Sequence, residues 1–139
     1  MIDIVVPTSD LGGGTRTAER DRRIDVTLDA ETYFPKDSAR LRASARSQLR
    51  QVATDLRRRG PGQVRIVGYT DDLGSAARGR VLSRQRAAAV AGVLRPPLPA
   101  GQDRFTVVGR GEADPAVPNT SEANRKLNRR VELSYTPSR

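Results

Sequence analysis

The sequence predicts an α/β fold, arranged as an α+β sandwich in which helices pack on one face of a mixed sheet. Apolar and polar residues alternate over residues 23–34 and again over 131–135, which is typical of half-buried strands. Between them lie two stretches with apolar residues at helical spacing, and a short apolar run at 64–67 precedes the second. The predicted order of elements is βαβαβ(α)β. Strands separated by helices imply right-handed crossovers and a mixed sheet with the helices on one face.

Residues 1–22 are expected to form an N-terminal extension or linker, and residues 23–139 the domain itself. The extension contains three consecutive glycines, 12–14, and mixed charges without a helical or strand period. Residues 4–6 are apolar and are expected to add an edge strand that ends at Pro7, because proline cannot donate a ladder hydrogen bond.

The first long helix is expected to begin at an N-cap of Asp37 or Ser38, because these residue types accept hydrogen bonds from the first helical N–H groups. Gly60 and Pro61 are expected to end it. Three arginines, residues 57–59, occupy its last turn, and helix termination explains them about as well as ligand binding does. The apolar stripe of this helix consists of Leu41, Ala45, Leu49, Val52, Ala53 and Leu56.

The second strand and helix, within residues 64–94, are joined by a polar turn that contains Asp71, Asp72 and Gly74. The helix is expected to begin at about Ser75, or after Gly79, since glycine costs about 1 kcal/mol inside a helix. The remaining predicted elements are a strand at 105–108, a helical turn at 119–126 capped by Thr120 or Ser121, and a last strand at 131–135.

One arginine interrupts the apolar stripe of the second helix. Arg86 lies four residues after Leu82 and four before Val90, on the face that is expected to be buried. An unpaired guanidinium there is costly, so a carboxylate or a ligand anion is expected to meet it, and Asp71 and Asp72 are the nearest candidates. Asp71 and Arg86 form either a structural ion pair or a site that holds the ammonium and the carboxylate of one zwitterion.

Four motifs, in this order, resemble the OmpA-like peptidoglycan-binding domain family, which includes the C-terminal domain of OmpA and the domains of Pal and MotB. They are GYTDDLGS, LSRQRAAAV, VVGRGEADP and NRKLNRRVEL, and YFPKDSARL resembles the family's first strand running into its first helix. The likeness covers residues 23–135. It implies the family's βαβαβ(α)β fold and a non-catalytic, noncovalent attachment to peptidoglycan through the diaminopimelate of the stem peptide.

The resemblance also implies the site residues. In family members the TD acid and the LS-x-x-R arginine hold diaminopimelate, and Asp71 and Arg86 match these two positions. Arg129 matches a third basic contact, with which its neighbour Arg130 could be confused, and Arg125 matches a frequent family arginine. The other expected ligand contacts are Thr70, Asp72, Leu73 and Phe34.

Three positions depart from the family pattern. Gly79 stands where asparagine is frequent, Tyr69 where histidine is common, and Pro35 where an acid often follows the phenylalanine. Gly79 has no side-chain amide with which to bond a ligand or the turn. These departures bear on the fine specificity of the site more than on the class of its ligand.

The composition limits the chemistry that the chain can perform. It contains neither cysteine nor histidine, which removes thiolate chemistry, cysteine-ligated metals and the commonest general base. No cofactor, metal site or enzymatic activity is expected, because nothing in the sequence positions Glu112 and Asp114 as the paired carboxylates of a wall hydrolase. Gly109 and Gly111 lack the third glycine of a dinucleotide-binding loop and are expected to be tight-turn positions.

The net charge of +9, from 25 basic and 16 acidic residues, indicates anionic surroundings. The charge leaves open a basic nucleic-acid-binding domain, and the resemblance leaves open a stator or secretion-machine component that carries the same domain. Binding of nucleic acid is not expected, because the few aromatic residues are scattered and form no stacking platform.

The expected partner is therefore peptidoglycan, bound by a monomer or weak homodimer. The expected location is the cell envelope, in the periplasm or the cell wall. The given sequence contains no apolar run long enough to span a membrane and no secretory signal. Any membrane attachment is expected to come from an anchor that lies outside it.

Overall fold

The computed structural model describes residues 6–8, 15–20, 23–60, 62–95 and 103–137. Within these ranges the chain forms six strands and four helices. The strands are β1 (Val6–Thr8), β2 (Thr15–Arg20), β3 (Arg23–Asp29), β4 (Gly62–Tyr69), β5 (Asp103–Gly111) and β6 (Arg130–Pro137). The helices are α1 (Ala30–Tyr33), α2 (Ala43–Arg59), α3 (Ala76–Leu94) and α4 (Glu122–Asn128).

All six strands belong to one mixed sheet, in the order β1-β2-β3-β6-β4-β5. Strands β4 and β5 run parallel, with α3 as the crossover between them, and the other neighbours run antiparallel. The predicted α/β class and the mixed sheet are confirmed.

The core lies between the helices and one face of the sheet. Alternate residues of β3 and β6 are buried on that face, as their apolar periodicity predicted. Residues Leu49 and Leu56 of α2 and Val90 and Leu94 of α3 are almost fully buried against it. The cross-strand pairs on this face are Ile24–Tyr135, Val26–Leu133 and Leu28–Val131.

The first predicted strand ends five residues earlier than expected. Strand β3 stops at Asp29, whose carboxylate accepts a hydrogen bond from the Glu31 N–H at 3.3 Å and one from the Thr32 hydroxyl at 2.7 Å. These bonds cap α1, a single turn that the alternating pattern did not predict. The cap turns the chain out of the sheet before Phe34.

The start of the first long helix is also wrong in the prediction. Helix α2 begins at Ala43, and its N-cap residue, Arg42, makes no side-chain capping bond. Asp37 has a φ of +56°, in the left-handed region and not the extended conformation of an N-cap, and Ser38 is followed by further loop residues. Residues 34–42 are instead a loop whose carbonyl oxygens at Pro35 and Ser38 accept hydrogen bonds from Arg86 of α3. The predicted C-terminal end at Gly60 is confirmed.

Residues before the predicted domain also pair in the sheet. Strand β2 is antiparallel to β3, and β1 lies outside β2 at the edge. Residues 4 and 5 lie outside the described residues, and Pro7 lies within β1 rather than ending it, which an edge position allows. The boundary between residues 22 and 23 stays a prediction.

Helix α3 begins where the sequence first indicated. The Ser75 hydroxyl accepts a hydrogen bond from the Arg78 N–H at 3.1 Å, and Gly79 lies inside the helix, so the alternative start after Gly79 is wrong. Ser121 caps α4 in the same way, as predicted, and α4 runs on to Asn128. Within the described ranges, no helix combines the length and the apolar character needed to cross a membrane.

Glycines let α3 lie directly on β4 and β5. A Cβ atom at Gly68 would come within 2.1 Å of the Ser83 carbonyl oxygen, and one at Gly109 within 2.5 Å of the Arg84 backbone nitrogen. Gly111 has a φ of +59°, so the predicted tight-turn role holds for it. It does not hold for Gly109, which is a strand residue facing a helix.

Candidate functional site

A cleft of about 700 Å³ opens where the loop after α1, the turn after β4 and the first turns of α3 meet. Five of the seven predicted ligand contacts lie in its wall and a sixth, Arg129, lies there beside α4; the exception is Asp72. The wall consists of Ala30, Glu31, Phe34, Lys36, Asp37, Arg42, Thr70, Asp71, Leu73, Gly74, Ser75, Arg78, Gly79, Leu82, Arg86, Glu122 and Arg129.

Arg86 lies on one side of this cleft and is only 6% exposed. Its Nε donates to the Ser38 carbonyl oxygen at 2.8 Å, and its guanidinium lies 5.2 Å from the centre of the Phe34 ring. Among the described residues no carboxylate lies within ion-pair distance of it. Burial lowers the pKa of Arg86, and the more distant charges of Asp37 and Asp71 offset that effect only in part.

Asp71 also lines this cleft and is 7% exposed. One of its carboxylate oxygens accepts the backbone N–H of Leu73 at 2.9 Å, which closes the turn after β4. Gly74 completes this turn with a φ of +79°, a conformation that favours glycine. The turn therefore fixes the Asp71 carboxylate at the cleft and leaves the Leu73 side chain 59% exposed at its rim.

Arg129 connects Asp71 to two further carboxylates. Its guanidinium donates to Asp71 at 2.5 Å, to Glu31 at 2.5 Å and to Glu122 at 2.6 Å. Burial acts to lower the pKa of Arg129, but the bonds to Glu122, Asp71 and Glu31 outweigh it and raise the pKa. Three carboxylates and one guanidinium give this acidic cluster, Glu31–Asp71–Glu122–Arg129, a formal charge of 1 − 3 = −2.

The direct ion pair that the sequence offered as one alternative for Asp71 and Arg86 is therefore absent from the described residues. Asp71 is paired with Arg129, which is 58 positions away in sequence. Arg86 is held by the Ser38 carbonyl and the Phe34 ring, and not by Asp72 either. The two residues line the same cleft without pairing with each other, and the alternative that they hold one zwitterion stays a prediction.

The two arginines of the NRRVE motif have separate environments. Arg129 points into the cleft, whereas Arg130 is buried with its guanidinium 3.8 Å from the centre of the Tyr69 ring. Arg130 also donates to Glu132 at 2.6 Å and to the Asp114 carbonyl oxygen at 3.2 Å. The structure thus separates the cleft arginine from its structural neighbour.

Asp72 is the predicted ligand contact that does not line the cleft. Its carboxylate accepts from Nε of Arg125 at 2.9 Å, and Arg125 also donates to the Asn119 carbonyl oxygen. This pair joins the turn after β4 to α4. Asp72 and Arg125 therefore stabilise the wall of the site from outside.

The cleft is close to electroneutral in a strongly basic protein. Its wall carries five basic and four acidic residues, so its formal charge is 5 − 4 = +1, whereas the chain carries +9. Three of the four acids pair with Arg129, whereas no carboxylate among the described residues pairs with Arg86. The arrangement suits a ligand with both an ammonium and a carboxylate.

Several wall residues were not found from the sequence. Glu31 and Glu122 lie in the first turns of α1 and α4, where an acid also favours the helix dipole, so their pattern gave no separate signal. Arg78 lies two turns before Arg86 on α3 and shares its face, a spacing that could have identified it. Arg42 lies in a loop that the sequence assigned to a helix, and Lys36 lies in the same loop just before the predicted N-cap.

Neither a metal site nor a hydrolytic pair emerges from the part of the chain that the structure describes. No cluster of three or more acidic side chains there could hold a metal ion, and Arg129 lies between the three carboxylates of the acidic cluster. Glu112 and Asp114 are exposed and lie outside the cleft wall, and Asp114 pairs with Arg110 at 3.2 Å.

Comparison with known proteins identifies the family. The model of the OmpA family matches residues 33–129. The chain belongs to the OmpA family. It is 34% identical to outer membrane protein A of Bordetella avium over 82% of the chain and 58% of that protein. It is also 34% identical to the peptidoglycan-binding protein ArfA of Mycobacterium tuberculosis, over 84% of the chain and 35% of that protein. The chain thus spans little more than half, or about a third, of these relatives.

A solved structure gives the same fold. The cell wall anchor of the T6SS from Pseudomonas aeruginosa superposes with a TM-score of 0.72 at 27% identity, covering 96% of this chain and 88% of that one. The OmpA-like fold that the four motifs implied is therefore confirmed.

The departures from the OmpA-family motifs have local explanations. Gly79 faces the Thr70 hydroxyl, and a Cβ atom there would lie 2.9 Å from Thr70 Oγ1, so a larger residue requires Thr70 to move. Tyr69 forms the face against which Arg130 stacks. The carbonyl of Pro35 lies 3.5 Å from an Nη atom of Arg86, so the loop presents an oxygen here without an acidic side chain.

Proposed function

We propose that the cleft binds peptidoglycan noncovalently through the diaminopimelate of its stem peptide, and that the domain thereby anchors a protein or an envelope layer to the cell wall. The observation that carries this proposal is the environment of Arg86. A guanidinium that is 6% exposed, lines an open cleft and has no carboxylate partner among the described residues lacks its counter-charge. A ligand carboxylate would supply that charge bidentately.

The other side of the cleft supplies the complementary half of the site. The acidic cluster has a surplus of two negative charges, so an ammonium group beside Asp71 gains attraction without displacing Arg129. The free end of diaminopimelate carries an ammonium and a carboxylate on one carbon. A ligand of this kind meets both sides of the cleft at once, whereas a simple anion meets only the Arg86 side.

Anchoring does not require tight binding at a single site. A wall presents many stem peptides, so a domain tethered beside it experiences a high effective concentration of ligand. Relatives named as outer membrane, peptidoglycan-binding and cell wall anchor proteins support a location in the cell envelope. No catalytic step is part of the proposal, and a stator or secretion-machine setting remains compatible with it.

Binding of nucleic acid is the alternative that the charge of +9 favours. Bases stack on exposed aromatic rings in sequence-independent binders. Four of the five aromatic side chains, Tyr33, Phe34, Tyr69 and Tyr135, are buried, and Phe105 is half-buried. The near-neutral cleft also gives a polyphosphate backbone little net attraction, so the site supports a zwitterion better.

The test is titration with a diaminopimelate-containing stem peptide, alongside thermal unfolding of the same proteins. Asp71→Asn removes the carboxylate beside the ammonium, and Arg86→Gln removes the guanidinium. Each should weaken binding by about 1.5–3 kcal/mol, or roughly ten- to a hundredfold. The assay is run on protein that remains folded at the working temperature.

Arg84→Gln is the matched control, because it removes an exposed arginine from the same helix outside the cleft. It should bind the peptide as the parent does. If folded Asp71→Asn and Arg86→Gln also bind like the parent, the site assignment is wrong. Binding to DNA that is tighter than to wall material, and that falls steeply with salt, would favour the nucleic-acid alternative instead.

A further inference from the structure

Outside the acidic cluster, the cleft wall carries more positive charge than a single diaminopimelate carboxylate requires. Besides Arg86, this part of the wall consists of the cations Lys36, Arg42 and Arg78 and one acid, Asp37, among its charged residues. These residues sum to 4 − 1 = +3. Since one carboxylate neutralises only Arg86, the remaining cations indicate that the bound ligand carries a second negative group.

Arg78 is the best placed of these cations. It lies eight residues before Arg86 on α3 with Leu82 midway, and residues four apart lie on one face of a helix. All three line the cleft, so the backbone positions of the two arginines are separated by two turns, or ~12 Å along the helix axis, with an apolar residue between them. Among the described residues Arg78 has no ion-pair partner, and it is exposed at the rim.

This spacing matches the chemistry of a stem peptide. The residue that precedes diaminopimelate is a γ-linked glutamate, whose α-carboxyl group is free in some walls and amidated in others. About eleven covalent bonds separate this carboxyl from the one at the free end of diaminopimelate, which is roughly 14 Å when the chain is extended at ~1.25 Å per bond. A slightly bent peptide therefore spans the distance between the two arginines.

We propose that Arg78 binds the free α-carboxylate of the γ-linked glutamate next to diaminopimelate, and that it makes the cleft prefer stem peptides in which this carboxyl is not amidated. The inference rests on the proposed function, because it extends the same ligand along the same cleft. Arg86 and the acidic cluster recognise the free end of diaminopimelate, and Arg78 distinguishes the neighbouring residue.

The experiment is a two-by-two titration at low ionic strength. Two synthetic peptides are used that contain diaminopimelate and differ only in whether the glutamate α-carboxyl is free or amidated. The parent protein should bind the free form about three- to fivefold more tightly, the scale of an exposed ion pair. Arg78→Gln should lose that factor on the free form, bind the amidated form as the parent does, and so no longer distinguish the two peptides.

Arg80→Gln is the matched control, since Arg80 is an exposed arginine on the same helix, two residues away, and does not line the cleft. It changes the net charge equally and should keep the full preference. If both variants lose the preference for the free carboxyl, the preference depends on overall charge and the proposal is wrong. The proposal is also wrong if Arg78→Gln keeps the preference.

The outcomes also separate this inference from the function on which it rests. Equal binding of both peptides by the parent overturns the role of Arg78 and leaves diaminopimelate recognition intact. Failure of the parent to bind either peptide contradicts both.

Discussion

Arg86 and Arg129 line the same cleft, but carboxylates neutralise only Arg129 among the described residues. Arg129 donates to three carboxylates at 2.5–2.6 Å, and this surrounding raises its pKa. Arg86 is more deeply buried and has a backbone carbonyl and an aromatic ring as its partners, and burial lowers its pKa. The Arg129 guanidinium is neutralised within the protein, whereas the Arg86 guanidinium has no carboxylate partner among the described residues.

The comparison indicates how the two sides of the site divide their roles. Arg129 brings three carboxylates together, because Asp71, Glu31 and Glu122 would otherwise repel one another. The resulting cluster stays negative and fixed in place. Arg86 is positioned by a backbone carbonyl and an aromatic ring, which carry no net charge. Its positive charge can therefore attract a ligand anion. A buried arginine that lines a cleft and has no carboxylate partner is therefore a candidate for binding a ligand anion.

The largest effect on stability should come from disrupting the packing of α3, which carries Arg86, on β4. Gly68→Ala puts a Cβ atom within 2.1 Å of the Ser83 carbonyl oxygen, so α3 must move away from β4 and take Arg86 with it. The free energy of unfolding should fall by about 3 kcal/mol. Chemical denaturation measures this loss.

Gly92→Ala is the control for that substitution. Gly92 also lies in α3, but nothing lies within 4 Å of the position that its Cβ would take. Alanine there should stabilise the protein by about 0.5–1 kcal/mol through helix propensity. Destabilisation by both changes would mean that α3 tolerates no substitution, and the contact with Ser83 would then explain nothing.

The second effect sharpens the contrast between the two arginines. Arg129→Gln leaves three carboxylates without their common partner, and Asp71, with a side chain only 9% exposed, cannot recover that loss from water. Glu31 and Glu122 are 47% and 69% exposed, so solvent screens most of their share. We expect a destabilisation of about 2 kcal/mol at pH 7, measured by denaturation.

That destabilisation should shrink as the salt concentration rises, because Glu31 and Glu122 are exposed and salt screens their interaction with Arg129. A loss that is the same at low and high salt would contradict the electrostatic explanation.

Much of the fold could be predicted from the sequence, because its signals are local. Alternation identified β3 and β6, and Ser121, one of the two predicted caps of α4, is the cap that the structure shows. The start of α2 was missed because Leu41 is buried in phase with the helical stripe although it lies outside the helix. Burial periodicity does not reveal a left-handed residue such as Asp37.

The candidate site was predicted less completely, because its decisive contacts are not local. Asp71 and Arg129 meet because Tyr69 and Arg130 pair at the ends of two antiparallel strands, and that register cannot be read from either segment alone. Proximity in the chain favoured Arg86 as a partner for Asp71 instead. The motifs identified most of the residues, and the sheet register determined which of them are paired.

A smaller effect concerns Gly79, which lies between the two sides of the cleft. Gly79→Ala should gain up to about 1 kcal/mol of helix propensity but places a Cβ atom 2.9 Å from Thr70 Oγ1, so the net change should be close to zero. In a Thr70→Ala background the contact is gone, and the same substitution should stabilise by about 1 kcal/mol. Equal effects in the two backgrounds, measured by denaturation, would show that Thr70 does not limit this position.

Substitution of Arg86 itself should also change the stability little. Arg86→Met keeps much of the side-chain volume and its contact with Phe34, and it removes a buried charge that has no carboxylate partner among the described residues. The lost hydrogen bond to the Ser38 carbonyl costs about as much as the removed desolvation penalty returns. The free energy of unfolding should therefore stay within about 1 kcal/mol of the parent, while binding of the diaminopimelate peptide falls at least tenfold. Arg129→Met should instead clearly lower the free energy of unfolding. If Arg86→Met instead unfolds the protein as readily as Arg129→Met does, Arg86 is a structural residue like its neighbour, and the contrast between the two arginines no longer identifies a ligand site.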